Sequence, residues 1–279
     1  MTTSTPSVMA ADASVGGLRD VMTIASEKGG VGKTFATLGL ARELASRGLK
    51  VGVIDLDPRA TATVWLGVDV PEGEHIGAIL GVDDVDGAAA DLALPTPWHP
   101  ALALVPGSRD LAVLEQTSPE YGELRLRRAL AGWDVDVVLI DAPNRQGGFL
   151  IRSALTASTR VVYTTTPDED GRAGVEWARS NVSRFRTMSP LNPQLAEGGV
   201  IVTRWPDTVT TRDARDTLAA LEEDLGDLLL RPFIPERVAV REARKGEVWW
   251  GDYRNGRVIT ESFAGLVDRL WPETSVEAR

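Results

Sequence analysis

The chain has 279 residues, a formal net charge of -10, 43% hydrophobic and 25% charged residues, and no cysteine. The missing thiols exclude disulfides, thiolate metal sites and iron–sulfur clusters, and His75 and His99 alone are too few for a histidine-rich metal centre. The acidic balance excludes a surface coated in positive charge, so any grip on nucleic acid must come from a local basic patch.

The length suits a single sizeable domain. In chain order, residues 1–20 are rich in Ser, Thr and Ala and read as a flexible tail without the basic start and apolar centre of a signal peptide. They are also too short for a helix-turn-helix domain ahead of residue 21. Strands are predicted at 21–26, 50–55, 101–106, 135–141, 160–166, 199–204 and 228–234. Several are near-continuous Val, Ile and Leu runs, as strands buried on both faces require. Helices are predicted between them, first at 34–46, where Leu38, Ala41 and Ala45 recur at helical spacing and Gly48 follows as a stop. Others are predicted at 176–186, 213–225 and 262–270. The Gly-, Pro- and Asp-rich stretch 67–100 reads as short helices and loops at one sheet edge. The alternation predicts an α/β fold: a mostly parallel, twisted sheet with helices on both faces. One domain is expected over 21–272, with a short tail at 273–279. No apolar run reaches membrane-spanning length, so the expected location is the cytoplasm.

Between the first strand and the first helix stands Ser26-Glu27-Lys28-Gly29-Gly30-Val31-Gly32-Lys33-Thr34. Gly29, Gly30 and Gly32 allow backbone conformations that let successive N–H groups converge on an anion, and the helix that follows adds its positive end. Lys33 is placed to reach β- and γ-phosphates, and the Thr34 hydroxyl to ligate Mg²⁺. Glu27 occupies a position where the general phosphate-loop pattern has glycine.

The run from Lys28 to Thr34 resembles the deviant Walker A motif of the ParA/MinD ATPases. That resemblance implies a P-loop NTPase fold and ATP with Mg²⁺ as ligands. It assigns Lys28, Gly29, Gly30, Val31, Gly32, Lys33, Thr34 and Phe35 to the nucleotide. It also implies that Lys28 crosses a homodimer to touch the phosphates bound by the other copy, where added positive charge favours phosphoryl transfer.

Two apolar strands end in carboxylates. In Asp55-Leu56-Asp57-Pro58, the strand period of two points Asp55 and Asp57 to one side, beyond the carboxyl end of the strand where ligands of open parallel sheets bind. The run is similar to the family's Asp-x-Asp-Pro motif. By that likeness Asp57 positions the attacking water and Asp55 supports the metal region, which makes Lys28, Lys33 and Asp57 the catalytic set. Arg59 stands where the family usually has glutamine. The run 136–141 resembles a Walker B strand, so Asp141 joins Thr34 and Asp55 at the metal; Asn144 replaces a more usual proline.

Further on, the segments 154–167, 199–203 and 233–235 are similar to the family in order and spacing, and the likeness puts Thr203, Arg204 and Pro235 around adenine. Between positions 231 and 257 seven basic residues face four acidic ones. Within this stretch Arg237, Arg241 and Arg244 would share one helical face, and by the same likeness they and Lys245 are the candidate DNA contacts; Glu236 stands where the family has arginine. Trp249, Trp250 and Tyr253 read as packing residues rather than stacking platforms.

The function expected from this resemblance is that of a ParA-type DNA-partition ATPase. Its partners would be a second copy in the ATP state, non-specific nucleoid DNA and a ParB-like protein that stimulates an otherwise slow hydrolysis. The alternatives are a MinD-like ATPase on a membrane surface or a nucleotide-gated scaffold for another cargo. The tail 258–279 opposes the membrane reading, because Glu261, Asp268, Glu273 and Glu277 outnumber Arg269 and Arg279 and anionic lipid would repel them.

Overall fold

The Val-, Ile- and Leu-rich runs become the inner strands of one sheet. In the computed structural model residues 20–144, 147–206 and 211–274 are described; the predicted tail at 1–20, apart from Asp20, and residues 275–279 of the other tail lie outside them. The strands are β1 (Asp20–Ala25), β2 (Val51–Asp55), β3 (Leu94–Thr96), β4 (His99–Val105), β5 (Val137–Asp141), β6 (Arg160–Thr165), β7 (Ala196–Val202) and β8 (Leu229–Leu230). Their order in the sheet is β3-β4-β2-β5-β1-β6-β7-β8. Every neighbouring pair is parallel except β3 with β4. Every residue of β1, β2 and β5 is buried, as central parallel strands require.

The helices are α1 (Lys33–Ser46), α2 (Thr61–Trp65), α3 (Ile76–Leu80), α4 (Ala88–Asp91), α5 (Leu111–Thr117), α6 (Arg125–Ala129), α7 (Phe149–Ala157), α8 (Glu169–Met188), α9 (Arg212–Leu225), α10 (Val238–Gly246) and α11 (Arg257–Leu270). They cover both faces. On one side Met22, Val53 and Leu139 pack with Leu38 and Leu44 of α1 and with Phe263 and Leu266 of α11. On the other, Val21, Ile54, Val138 and Ile140 pack with Leu126, Phe149 and Leu150. Gly39 permits the close approach of α1 and α11, since a Cβ there would lie 2.1 Å from the Phe263 ring.

Three sequence expectations need correction. Strand β3 lies in the stretch 67–100, where only helices and loops are predicted. It is a three-residue edge strand, and its Pro95 is tolerated because an edge leaves one row of backbone groups unpaired. The strand predicted at 228–234 is only two residues long, because Pro232 has no N–H with which to continue the ladder. Helices α8 and α11 begin several residues before their predicted starts. The first turn of α8 has no apolar period, but Glu169 and Asp170 suit the positive end of a helix, and Asp168 caps it by accepting from the Gly171 N–H at 2.7 Å.

The apolar face of α11, formed by Ile259, Phe263, Leu266, Val267 and Leu270, is buried in the core. Among the described residues, no helix is long and apolar enough to cross a membrane. The loops following β1, β2, β5, β6 and β7 meet at the carboxyl edge of the sheet, where a parallel α/β sheet binds ligands.

Candidate active site

The loop between β1 and α1 is shaped by two glycines in the left-handed region, Gly30 at φ 80° and Gly32 at φ 82°. Its fit against β7 is close: a Cβ on Gly32 would lie 3.2 Å from the Thr203 hydroxyl oxygen. That hydroxyl donates to the Val31 carbonyl at 2.9 Å, with the Thr165 carbonyl at 3.3 Å, so the end of β7 buttresses the loop. No side chain caps α1, which leaves its first N–H groups directed into the loop.

Beneath the loop the charges are buried and unbalanced. Asp55 and Asp141 are partners in the β2–β5 register and fully buried. Burial above all pushes both carboxyls up, Asp55 to about 6 and Asp141 to about 7, with added repulsion from Asp57 at Asp55 and from Asp55 and Asp57 at Asp141; donors from Thr63 oppose this at Asp55, as do Lys33 and Thr34 at Asp141. Lys33 is itself only 6% exposed. Burial depresses its pKa while Asp141 and Asp57 push it back up. The Thr34 hydroxyl donates to Asp141 Oδ2 at 2.6 Å, whereas Asp141 Oδ1 is buried with no hydrogen-bond partner. Three carboxylates against one ammonium, with a hard oxygen left unpaired beside a hydroxyl, suit a divalent cation. Among the described residues no cluster of three acidic or histidine groups could enclose one alone, so an ion here would draw further oxygens from phosphate and water.

Asp55, predicted at the metal beside Asp141, is hydrogen-bonded to the turn that follows β2. Its Oδ2 accepts from both the N–H and the hydroxyl of Thr63 at 2.8 Å, and its Oδ1 from the Asp57 N–H at 3.3 Å. The Thr63 hydroxyl oxygen in turn accepts from the Gly107 N–H at 2.9 Å. Asp55 therefore anchors the turn 56–63, which reverses at Ala60, a non-glycine residue at φ 50°. Asp57 is buried at the start of that turn and accepts from the Arg59 N–H at 2.9 Å.

Lys28 meets carboxylates of its own chain. Its Nζ lies 2.6 Å from Asp168 Oδ1 and 3.7 Å from Asp170 Oδ2. Partial burial works against the Asp168 charge, but hydrogen bonds from Lys28, Thr166 and the Gly171 N–H hold its carboxyl below the usual range. Glu27 accepts from the Asn181 amide further along α8. Sequence reasoning missed these partners. The signal available for Asp168 and Asp170 was an acidic turn opening a helix; nothing marked Asn181.

Residues 22–248 match the CobQ/CobB/MinD/ParA nucleotide binding domain. The chain belongs to that family. It is 30% identical to the chromosome-partitioning ATPase Soj of Thermus thermophilus, with 80% of this chain and 83% of that protein covered. It is 28% identical to the protein IncC of Escherichia coli, covering 91% of this chain and 70% of the other. Among solved structures it resembles cobyrinic acid a,c-diamide synthase of Mycobacterium smegmatis with bound ADP and magnesium, at TM-score 0.72 and 28% identity, covering 90% of this chain and 95% of that one.

Within this family member, a cavity of about 320 Å³ opens beside Lys28, Gly29, Gly30 and Val31, with Arg204, Pro206 and Glu236 across from them. Of the three residues predicted around adenine, only Arg204 lines it. Thr203 is spent on the loop, and Pro235 is buried in a bridge to Trp205. Of the candidate DNA contacts, Arg241, Arg244 and Lys245 are exposed on α10. Arg237 does not share their helical face, because it precedes the helix in extended conformation and donates to the Glu236 carbonyl at 2.8 Å. The Arg244 guanidinium lies 5.7 Å from the centre of the Trp65 ring. Trp249 and Trp250 pack with Trp65, Trp98, Phe35 and Phe263. Phe35, next to Thr34, thus faces an aromatic core that reaches α10.

Proposed function

We propose that this chain is a ParA-type DNA-partition ATPase. It binds ATP with Mg²⁺, pairs with a second copy around the nucleotide and holds non-specific DNA in that state. A ParB-like partner then speeds hydrolysis and DNA is released. The observation that carries the reading is the combination at the loop: a buried, unpaired Asp141 oxygen beside Thr34 and Lys33, and a second lysine, Lys28, held at the mouth by the half-exposed Asp168 and the exposed Asp170.

Lys33 and the loop N–H groups would grip the β- and γ-phosphates, with Thr34 and Asp141 holding the ion. Mg²⁺, when bound, supplies charge neutralisation at the phosphates. Asp57 would orient the water that attacks the γ-phosphorus. Lys28, freed from Asp168 and Asp170, would serve the neighbouring copy. The exposed Arg241, Arg244 and Lys245 would meet DNA phosphates, and the protein would then work in the cytoplasm, on the nucleoid. The likeness to the Thermus ATPase supports this reading. A MinD-like membrane role has less support, since the apolar face of α11 is already packed in the core.

The test is electrophoretic mobility of non-specific DNA with ATP, ADP or no nucleotide. Retardation with ATP alone, weakening steeply between low and moderate salt, is expected. Equal retardation in all three conditions would overturn the proposal.

A further inference from the structure

Asn144 plays no part in the account above, although it stands three positions beyond Asp141 at the carboxyl edge of the sheet. Its Oδ1 is buried and has no hydrogen-bond partner. Its Nδ2 faces the phosphate loop, 3.8 Å from where a Cβ on Gly29 would stand. Leaving a buried carbonyl oxygen unpaired costs about 1–3 kcal/mol, so such a group calls for an explanation. Asp141 Oδ1, on the same segment, is unpaired in the same way and suits an ion. Asn144 is uncharged, and a neutral carboxamide offers something a carboxylate does not: an acceptor and a donor side by side. A half-turn of the amide exchanges the two atoms without changing that complement.

Resting on the ATPase reading, we propose that Asn144 is a further residue of the hydrolytic site that holds the attacking water in line. Its Oδ1 accepts a hydrogen from the water, and its Nδ2 donates to an oxygen of the γ-phosphate. Thr34 and Asp141 would define where the metal-bound phosphate oxygens fall, and Asn144 follows Asp141 by three residues with its amide against Gly29 of the same loop. The water oxygen bonds to the γ-phosphorus, the bond from that phosphorus to the β–γ bridging oxygen breaks, and ADP leaves with the electron pair. The water's proton passes to the released phosphate, and Asn144 ends the cycle unchanged. Glutamine orients water in the same manner in GTPases. Asp57, an acceptor only when ionised, cannot supply the donor half of this contact.

The experiment uses the full chain with Mg²⁺, ATP and DNA, and measures hydrolysis at saturating ATP beside equilibrium ATP affinity. Asn144→Ala is expected to lower kcat about 10- to 100-fold while ATP affinity changes less than about threefold. Asn144→Gln, which keeps both groups on a longer arm, is expected to recover part of the rate. A melting curve for each variant separates loss of rate from loss of fold. Wild-type kcat in Asn144→Ala would overturn the proposal. So would rate and affinity falling by one common factor, which would make Asn144 a packing neighbour of Gly29. Wild-type protein without ATP affinity would instead sink the ATPase reading itself.

Discussion

On the β2–β5 side of the phosphate loop, Asp55, Thr63 and Asp141 are buried, and their contacts to Thr63 and Thr34 measure 2.8 and 2.6 Å. On the β6–α8 side, Lys28 meets Asp168 and Asp170, whose side chains are 44% and 87% exposed. Both sides place carboxylates near lysines, yet the physics differs. In the buried half, low dielectric makes each charge expensive, so the set responds strongly to a cation or a proton. In the exposed half, water screens the pair, and exchanging one partner for another costs little. The buried half is suited to holding a ligand, and the solvated half to changing partners.

The strongest challenge to this comparison is Lys33→Ala. Removing the one ammonium among three buried carboxylates should weaken ATP affinity by at least about 100-fold, read by equilibrium binding of a fluorescent ATP analogue. Retained affinity would show that the buried half is not the ligand half. A second, smaller effect is the pH dependence of the protein without nucleotide. Asp141 titrates near 7 when folded, against 3.8 as a free carboxyl, so the native state binds the extra proton between those values. Stability associated with this group is therefore complete below about pH 4 and lost as pH rises through 7, by at most about 1.4 kcal/mol per pH unit. Wild type should lose melting temperature relative to Asp141→Asn between pH 5 and about 8, with the difference flat above that. A constant difference over the whole range would refute the buried-charge argument. The smallest effect belongs to Asp168→Asn, which keeps an oxygen to cap α8 but drops the charge facing Lys28. Stability should fall by less than about 1 kcal/mol in chemical denaturation, and less still at high salt. A loss of several kcal/mol would show that this half behaves as the buried one does.

The readable parts of the molecule are local ones. The glycines of the loop, the lysine-threonine pair and the aspartates closing β2 and β5 announce themselves because strand period, turn chemistry and helix start all act within a few residues. Thr63 escaped notice, since its value lies in a turn that folds it back onto Asp55. Asp168 stands 140 positions from Lys28, and only the crossing from β1 to β6 makes them neighbours. The spacing of Arg237 fits a helical face, but the chain enters α10 in extended conformation at that residue. The hairpin of β3 was hidden because Pro95 and a three-residue length give almost no pattern.

By itself the order of residues determined the α/β alternation, the anion-binding turn and the positions of two acidic strand ends, because each is an effect of neighbouring residues on backbone geometry. Only the tertiary structure decided which acids keep an oxygen unpaired, which lysine is buried and which is solvated, and that Asn144 faces Gly29. Those outcomes depend on the order in which the strands assemble, and with it on the dielectric and the partners each side chain meets.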